Sequence, residues 1–290
     1  MAARRFSQPR YARVGHPAWR RTLDPNVTPS LGGDVYCELY DAPPRMERQG
    51  GDTLEFSAVT LTMVVAAAGS SACVVSLGGF DCGVTASRSA TIDVGDATRV
   101  RVHARAGSLR IEGHPDLGKV RASGTACAGS DANLERVTLT ATCVWAELVI
   151  ETDTGDGMGQ GRLDLVVEVP DSLPLEVDDG SSGIEIYDVA AVELRDGSVG
   201  IDIDGVAGDV RVVDGSGSID ISAVRGSVVI EDDGWGSIDI TDVGQDVIVE
   251  EDGSGSINVA EVGGDFVVER DGSGGVRHRG VRGRVSVPSD

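Results

Sequence analysis

The sequence reads as an all-β chain wound into a solenoid of parallel strands, with two strands in each repeat of about 19 residues. Three observations carry that reading. A Gly-Ser-Ile-Asp-Ile phrase recurs at a fixed interval, the apolar residues of each copy alternate with period two, and an Asp-Gly pair returns at one point of every copy.

Nineteen residues separate Gly217 from Gly236, Gly236 from Gly255 and Gly255 from Gly274. Upstream the interval shortens, to eighteen between Ile203 and Ile221 and seventeen between Ile186 and Ile203. Six copies therefore cover 183–287. A repeat this short cannot bury its own apolar side chains, so neighbouring copies must share one core.

Aligning the copies puts Ile184, Ile201, Ile219, Ile238, Ile257 and Val276 in one column. Ile186, Ile203, Ile221, Ile240 and Val259 form the column two residues on, and a valine (Val189, Val206, Val224, Val243, Val262, Val281) follows at the turn. The second strand supplies Val210, Val228, Val247, Phe266 and Val285, then Val212, Ile230, Val249, Val268 and Val287. β-branched residues at alternating positions suit the inner wall of stacked strands.

The Asp-Gly pairs begin at Asp179, Asp196, Asp214, Asp233, Asp252 and Asp271. Glycine permits the tight corner, and the aspartate oxygen can accept a backbone N–H in an Asx-turn. Oxygen-rich corners also suit a hard cation, and Asp-Gly-Ser-Gly-Ser-Ile-Asp is like the corner of the nine-residue calcium β-roll. Asp196, Asp214, Asp233, Asp252 and Asp271 are thus candidate calcium ligands. Against this, the roll has a ligand corner every nine residues and here the opposite corner lacks ligands. No other cofactor is expected.

The formal net charge of −22 excludes nucleic acid as a partner, because phosphate neutralisation needs the opposite sign. Residues 181–290 hold twenty-three acidic residues against eight arginines. The outward column of the first strand reads Glu185, Asp202, Asp220, Asp239, Asn258, Arg277. Like charges one strand apart in water repel by roughly 0.9 kcal/mol, which a solvated face tolerates; the other reading of the column is a cation track.

Four segments are expected. Residues 1–55, with eight arginines and scattered prolines, read as a poorly ordered extension or as sequence upstream of the true start. Residues 56–80 carry no charge and read as a signal peptide or membrane anchor. Residues 81–180 form an irregular, capped beginning of the solenoid, and 181–288 its regular part. Cleavage after Ala72 would leave Cys73 first in the mature chain, as in a lipid-anchored protein, so Cys73 is a candidate lipidation site.

Export fits the cysteines. Cys127 and Cys143 stand across a short loop, and a disulfide between them would contribute about 3 kcal/mol; the other reading is free buried thiols. Within the irregular part, Val100-x-Val102 and Leu109-x-Ile111 look like the first coil, with Val120-Arg-Ala as its next strand, and Leu134–Ile150 and Leu163–Val169 as longer strands joined through 154–161. Pro170 and Pro174 interrupt the pattern before Leu175. At the far end Arg277, Arg279, Arg282 and Arg284 crowd the last coil, and His278 takes an inward aliphatic position. That end reads as a polar cap, or as a basic surface that docks onto another subunit.

No nucleophile–base motif, zinc-peptidase motif or phosphate loop is present. Asp178-Asp179 and Asp232-Asp233 are paired carboxylates of the kind that polysaccharide-cleaving solenoids use, but they recur with the period and so read as structure.

The phrases Val166-Val-Glu-Val-Pro170, Leu173-Pro-Leu-Glu-Val177-Asp-Asp-Gly-Ser181, the Asp-Gly-Ser-Gly-Ser-Ile-Asp-Ile copies and the ending Gly280-Val-Arg-Gly-Arg-Val285 resemble the bacterial putative-adhesin family of β-strand repeats, a domain of unknown function in exported and envelope-associated proteins. The resemblance covers about residues 98–288. It implies a right-handed parallel β-helix and a cell-envelope setting, and it offers no catalytic motif. The long arginine-bearing N-terminus departs from the family pattern. The expectation is a non-enzymatic, exported envelope module, structural or adhesion-like, with an unidentified surface ligand and contact to the membrane through a lipid or N-terminal anchor. The alternatives are a calcium-stabilised binding module and a polysaccharide-active enzyme.

Overall fold

From Leu175 onward the chain alternates between two walls of parallel strands, with the long strand Asp252–Val262 running from one wall into the other. The computed structural model describes residues 82–155, 161–180, 183–198 and 200–288, so Cys73 and the segments 1–55 and 56–80 lie outside the described residues. One wall holds β9 (Ile184–Tyr187), β11 (Ile201–Val206), β13 (Ile219–Val224), β15 (Ile238–Val243), β17 (Asp252–Val262) and β19 (Gly274–Val281). The facing wall holds β8 (Leu175–Asp178), β10 (Val192–Asp196), β12 (Val210–Asp214), β14 (Val228–Trp235), β16 (Val247–Val249), β18 (Phe266–Val268) and β20 (Val285–Ser286).

Each strand pairs in parallel with its counterpart one coil away, which is the stacking that the repeat demands. Ile184, Ile201, Ile219, Ile238, Ile257 and Val276 are direct register partners along the first wall. Val192, Val210, Val228, Val247, Phe266 and Val285 are partners along the second. The Ile-x-Ile pairs are buried from Ile184 to Ile257. Burying one such side chain stabilises by about 2 kcal/mol, and half of its covering atoms belong to the coils above and below.

The lengthening period has two local causes. Between Val189 and Val192 the corner holds two residues, whereas between Val206 and Val210 it holds three, which takes the interval from seventeen to eighteen. In β14 the register against β12 then slips by one at Glu231, so that Asp232 faces Val213 and Asp233 faces Asp214. This bulge persists in later coils and fixes the interval at nineteen.

Both corners place special demands on the backbone. After the first-wall strands, Asp188, Gly205, Ala223, Asp242, Glu261 and Gly280 occupy equivalent places and all have φ between 54° and 78°. Only two of the six are glycine, so the left-handed conformation is imposed by stacking on residues that disfavour it. At the other corner Gly217, Gly236, Gly255 and Gly274 lie one above another, and a Cβ on any of the last three would overlap the carbonyl oxygen of the glycine before it. The phrase that reveals the repeat is therefore also its tightest contact.

The beginning of the stack is not a simple continuation. It comprises β1 (Val84–Asp93), β2 (Arg99–His103), β3 (Leu109–His114), β4 (Lys119–Ala128), α1 (Asp131–Leu134), β5 (Thr138–Val144), β6 (Glu147–Asp153) and β7 (Gly161–Pro170). β3 lies between β7 and β9, and β2 lies between β6 and β8. The coil made of β6 and β7 thus sits outside an earlier one, and 171–174 must step past that earlier coil to reach β8. Pro170 and Pro174 bracket this step.

Beyond β7 the direction reverses. β4 runs antiparallel to both β7 and β1, which corrects the expectation that Val120-Arg-Ala is the next strand of a parallel coil. The expected strand Leu134–Ile150 is broken into α1, β5 and β6, with Trp145 and Ala146 both at positive φ in a two-residue hairpin. Arg88 of β1 donates to the carbonyl oxygens of Leu134 and Val137, tying the helical segment over the strands.

The expected Cys127–Cys143 disulfide is also corrected. Cys127 is bonded to Cys82, with Cα atoms 5.4 Å apart, and Cys143 takes part in a different disulfide. The reason is topological: Cys127 lies on β4 in the first wall, whereas Cys143 lies on β5, paired to β6 in the second. The bond spans 45 residues of sequence, and cross-linking a loop of that length contributes about 4 kcal/mol in the chain-entropy model.

The two corners give opposite expectations for small substitutions. Gly236→Ala should lower the unfolding free energy by about 3 kcal/mol through main-chain overlap, while Ala223→Gly should raise it by about 1 kcal/mol by relieving the left-handed residue. Denaturant titration of both variants measures this, and equal effects of the same sign would contradict the stacking described.

Candidate functional site

The second-wall strands place every other residue inward, so Val210 and Val212 are followed on the same face by Asp214. The same alternation turns Asp196 inward at the end of β10. Asp196, Asp214, Asp233, Asp252 and Asp271 are consecutive register partners, which brings all five calcium candidates into a single column. Four of them are buried, and Asp233 is wholly inaccessible. Asp179 extends the column towards the N-terminal end, where the buried Ala104 and then Thr152 follow it.

The expected Asx-turn forms in the earlier copies only. Asp196 Oδ1 accepts from Gly197 N at 2.7 Å, and Asp214 Oδ1 accepts from Ser216 N at 3.3 Å. Both oxygens of Asp233 and of Asp252, and the second oxygen of Asp214, have no hydrogen-bond partner among the described residues. No group of three or more histidine, cysteine, aspartate or glutamate side chains among the described residues could hold a metal ion.

Burial favours the neutral form of a carboxyl group. Burial raises the Asp196 pKa to about 6, and burial together with the charges of Asp214, Asp252 and Asp232 raises that of Asp233 to about 7. Burial, then Asp271, raises Asp252 to about 6, and burial raises Asp214. Asp233 stands close enough to Asp252, and Asp252 to Asp271, for one carboxyl to donate to the next. The column is thus a ladder of carboxyls biased towards the protonated form.

Outward, the first wall carries the column that the sequence anticipates. Glu185, Asp202, Asp220, Asp239, Asn258 and Arg277 are direct register partners. Asn258 Nδ2 donates to Asp239 at 2.9 Å and the Tyr187 hydroxyl donates to Asp202 at 3.4 Å. Asp220 has no such partner, and partial burial together with the charges of Asp239 and Asp202 raises its pKa. This face forms an open groove of about 620 Å³ running from Asp202 to Arg277. Its second row holds Ser222, Thr241 and Arg279, and Ser222 donates to Asp204 at 2.7 Å.

The paired carboxylates do not form catalytic pairs. Asp179 and Asp233 are buried while Asp178 and Asp232 are exposed, because neighbours on a strand point to opposite faces. Trp145 and Trp235 are the large aromatic side chains most exposed among the described residues, at 82% and 74%. The hairpin turn that presents Trp145 has no glycine or asparagine to mark it in the sequence.

No protein-family model matches the chain, and no curated protein matches it. Among solved structures it is similar to a putative cell adhesion protein from Clostridium sporogenes, 12% identical over 70% of this chain and 98% of that one, with a TM-score of 0.37. A putative adhesin from Bacteroides fragilis is 13% identical over 69% of this chain and 96% of that one, TM-score 0.32. A putative lipid binding protein from Parabacteroides distasonis is 12% identical over 69% and 96%, TM-score 0.27. Adhesins recur among these names, as in the family that the repeat phrases resemble.

The ladder dictates how stability depends on pH. Its folded pKa values lie above those of an unfolded aspartate, so the native chain holds protons that the unfolded chain has released. Stability should therefore be greatest near pH 4 and fall as pH rises to about 7, the window set by the values near 6 and 7. Asp233→Asn should raise stability at pH 8, on the order of 2 kcal/mol, and flatten that fall. Thermal unfolding from pH 4 to 8 tests this; a wild type that grows more stable over that range would contradict it.

Proposed function

We propose that this chain is a non-enzymatic module of the bacterial cell envelope, exported and acting as a structural or adhesion-like surface element. The observation that carries the reading is the Cys82–Cys127 disulfide built into the N-terminal end of a repeat solenoid. Such bonds persist in oxidising compartments, and this one closes the part of the stack where the shared core would otherwise meet water. The broad open groove of the first wall, with Asp202, Asp220, Asp239 and Arg277 beside Ile221, Ile240 and Val259, suits contact with an extended surface rather than enclosure of a small substrate.

Cell fractionation with labelled palmitate and external protease tests the setting, with a peptide map of the recovered protein. The expected result is an envelope fraction containing a Cys82–Cys127 linked peptide. A reduced, cytosolic pool would end the proposal.

A calcium-stabilised binding module is the second reading, favoured by the unpartnered oxygens of Asp214, Asp233 and Asp252. Under it, adding calcium to chelated protein at pH 8 raises the melting temperature by several degrees, on the order expected for a ligand well above its dissociation constant. No shift removes the second reading and leaves the first intact.

A further inference from the structure

The two ends of the solenoid differ. At the N-terminal end the antiparallel strands β1 and β4, the β5–β6 hairpin and the segment Ser130–Val137 fold over the last coil. At the C-terminal end, among the described residues, β19 pairs only with β17, and β20 only with β18. The eight-residue β19 leaves about four N–H and four C=O groups directed away from the stack without partners among the described residues. Its inward residues are poorly covered: Val276 and Val281 are half-buried, His278 is exposed, and Val285 and Val287 of the same coil are each 39% exposed.

The charge of this end is opposite to that of the chain. No acidic residue lies between Asp271 and Asp290, while Arg277, Arg279, Arg282 and Arg284 do. Arg284 is held by Asp265 at 2.9 Å; the other three make no ion pair among the described residues. Among the described residues no side chain follows Arg277 in the outward column, where each preceding coil places one against its neighbour.

We propose that this open end receives an extended acidic strand of a partner molecule, which pairs with the main chain of β19 and sets its carboxylates against Arg277 and Arg279. A second copy of this chain offers no acidic open strand among the described residues: its outer strand β1 pairs with β4 alone and carries one aspartate and one arginine. Its flanks are acidic but their N–H and C=O groups are already paired within the walls, and its own open end is basic and repels another. Within the chain itself, residues 34–55 hold six acidic residues against two arginines, so occupation of the edge by this segment is the competing outcome that protection of β19 in the free protein would report. The mode is strand addition, with main-chain bonds supplying affinity and the arginines selecting sign.

The probe is a synthetic peptide copying Gly236–Val249, which has the alternation of a coil and three aspartates. Full-length protein is followed by amide exchange and by titration. The proposal expects fast exchange across Gly274–Val281 in the free protein and slowed exchange there with peptide. It also expects affinity to fall by about tenfold when Arg277→Glu and Arg279→Glu are combined, and to be kept when both are replaced by lysine. A peptide with lysine in place of aspartate should not bind. Protection of β19 in the free protein, whether by another copy or by the chain itself, would overturn the proposal. So would absence of slowed exchange, or equal affinity of the charge-reversed variant.

Discussion

Everything in this molecule depends on one contact, the direct stacking of each coil on the next in fixed register. No coil has a core of its own. The inward aliphatic residues of one coil are covered by those seventeen to nineteen residues away, and the glycine column brings backbones so close that a methyl group does not fit. The same register that packs isoleucine on isoleucine must also pack aspartate on aspartate. A repeated sequence makes columns of whatever it repeats, including charge.

That constraint explains why the inner and outer acidic columns behave differently. Outside, water screens Glu185, Asp202, Asp220 and Asp239, and Tyr187 and Asn258 donate to two of them. Inside, Asp214, Asp233 and Asp252 are buried with oxygens that have no hydrogen-bond partner among the described residues, and burial biases them towards the protonated form. The groups facing Asp233 are the ladder aspartates and Asp232 on its own strand. The ladder therefore ties the stability of the stack to acidity without any histidine taking part.

The regular part of the fold was legible because two signals agree there. Alternation with period two gives strands, and recurrence near nineteen gives their partners, so the isoleucine and valine columns follow from spacing alone. The inward aspartates were misjudged because Asp-Gly reads as a turn signal, whereas alternation from Val210 through Val212 already points Asp214 into the core. The left-handed residues Ala223, Asp242 and Glu261 gave no local sign, since stacking rather than propensity sets their conformation. The N-terminal end was the least legible. Nothing local tells that the coil of β2 and β3 is later flanked by β6 and β7, and the disulfide was misassigned for the same reason: proximity in sequence was read as proximity in space.

Parallel stacking is most directly tested by contacts between methyl groups in solution. Nuclear Overhauser spectra of protein labelled at isoleucine and valine should link Ile203 to Ile221, Ile221 to Ile240 and Ile230 to Val249, pairs separated by eighteen or nineteen residues throughout. Contacts in which the separation instead shrinks steadily towards a turn, as in antiparallel hairpins, would contradict the account.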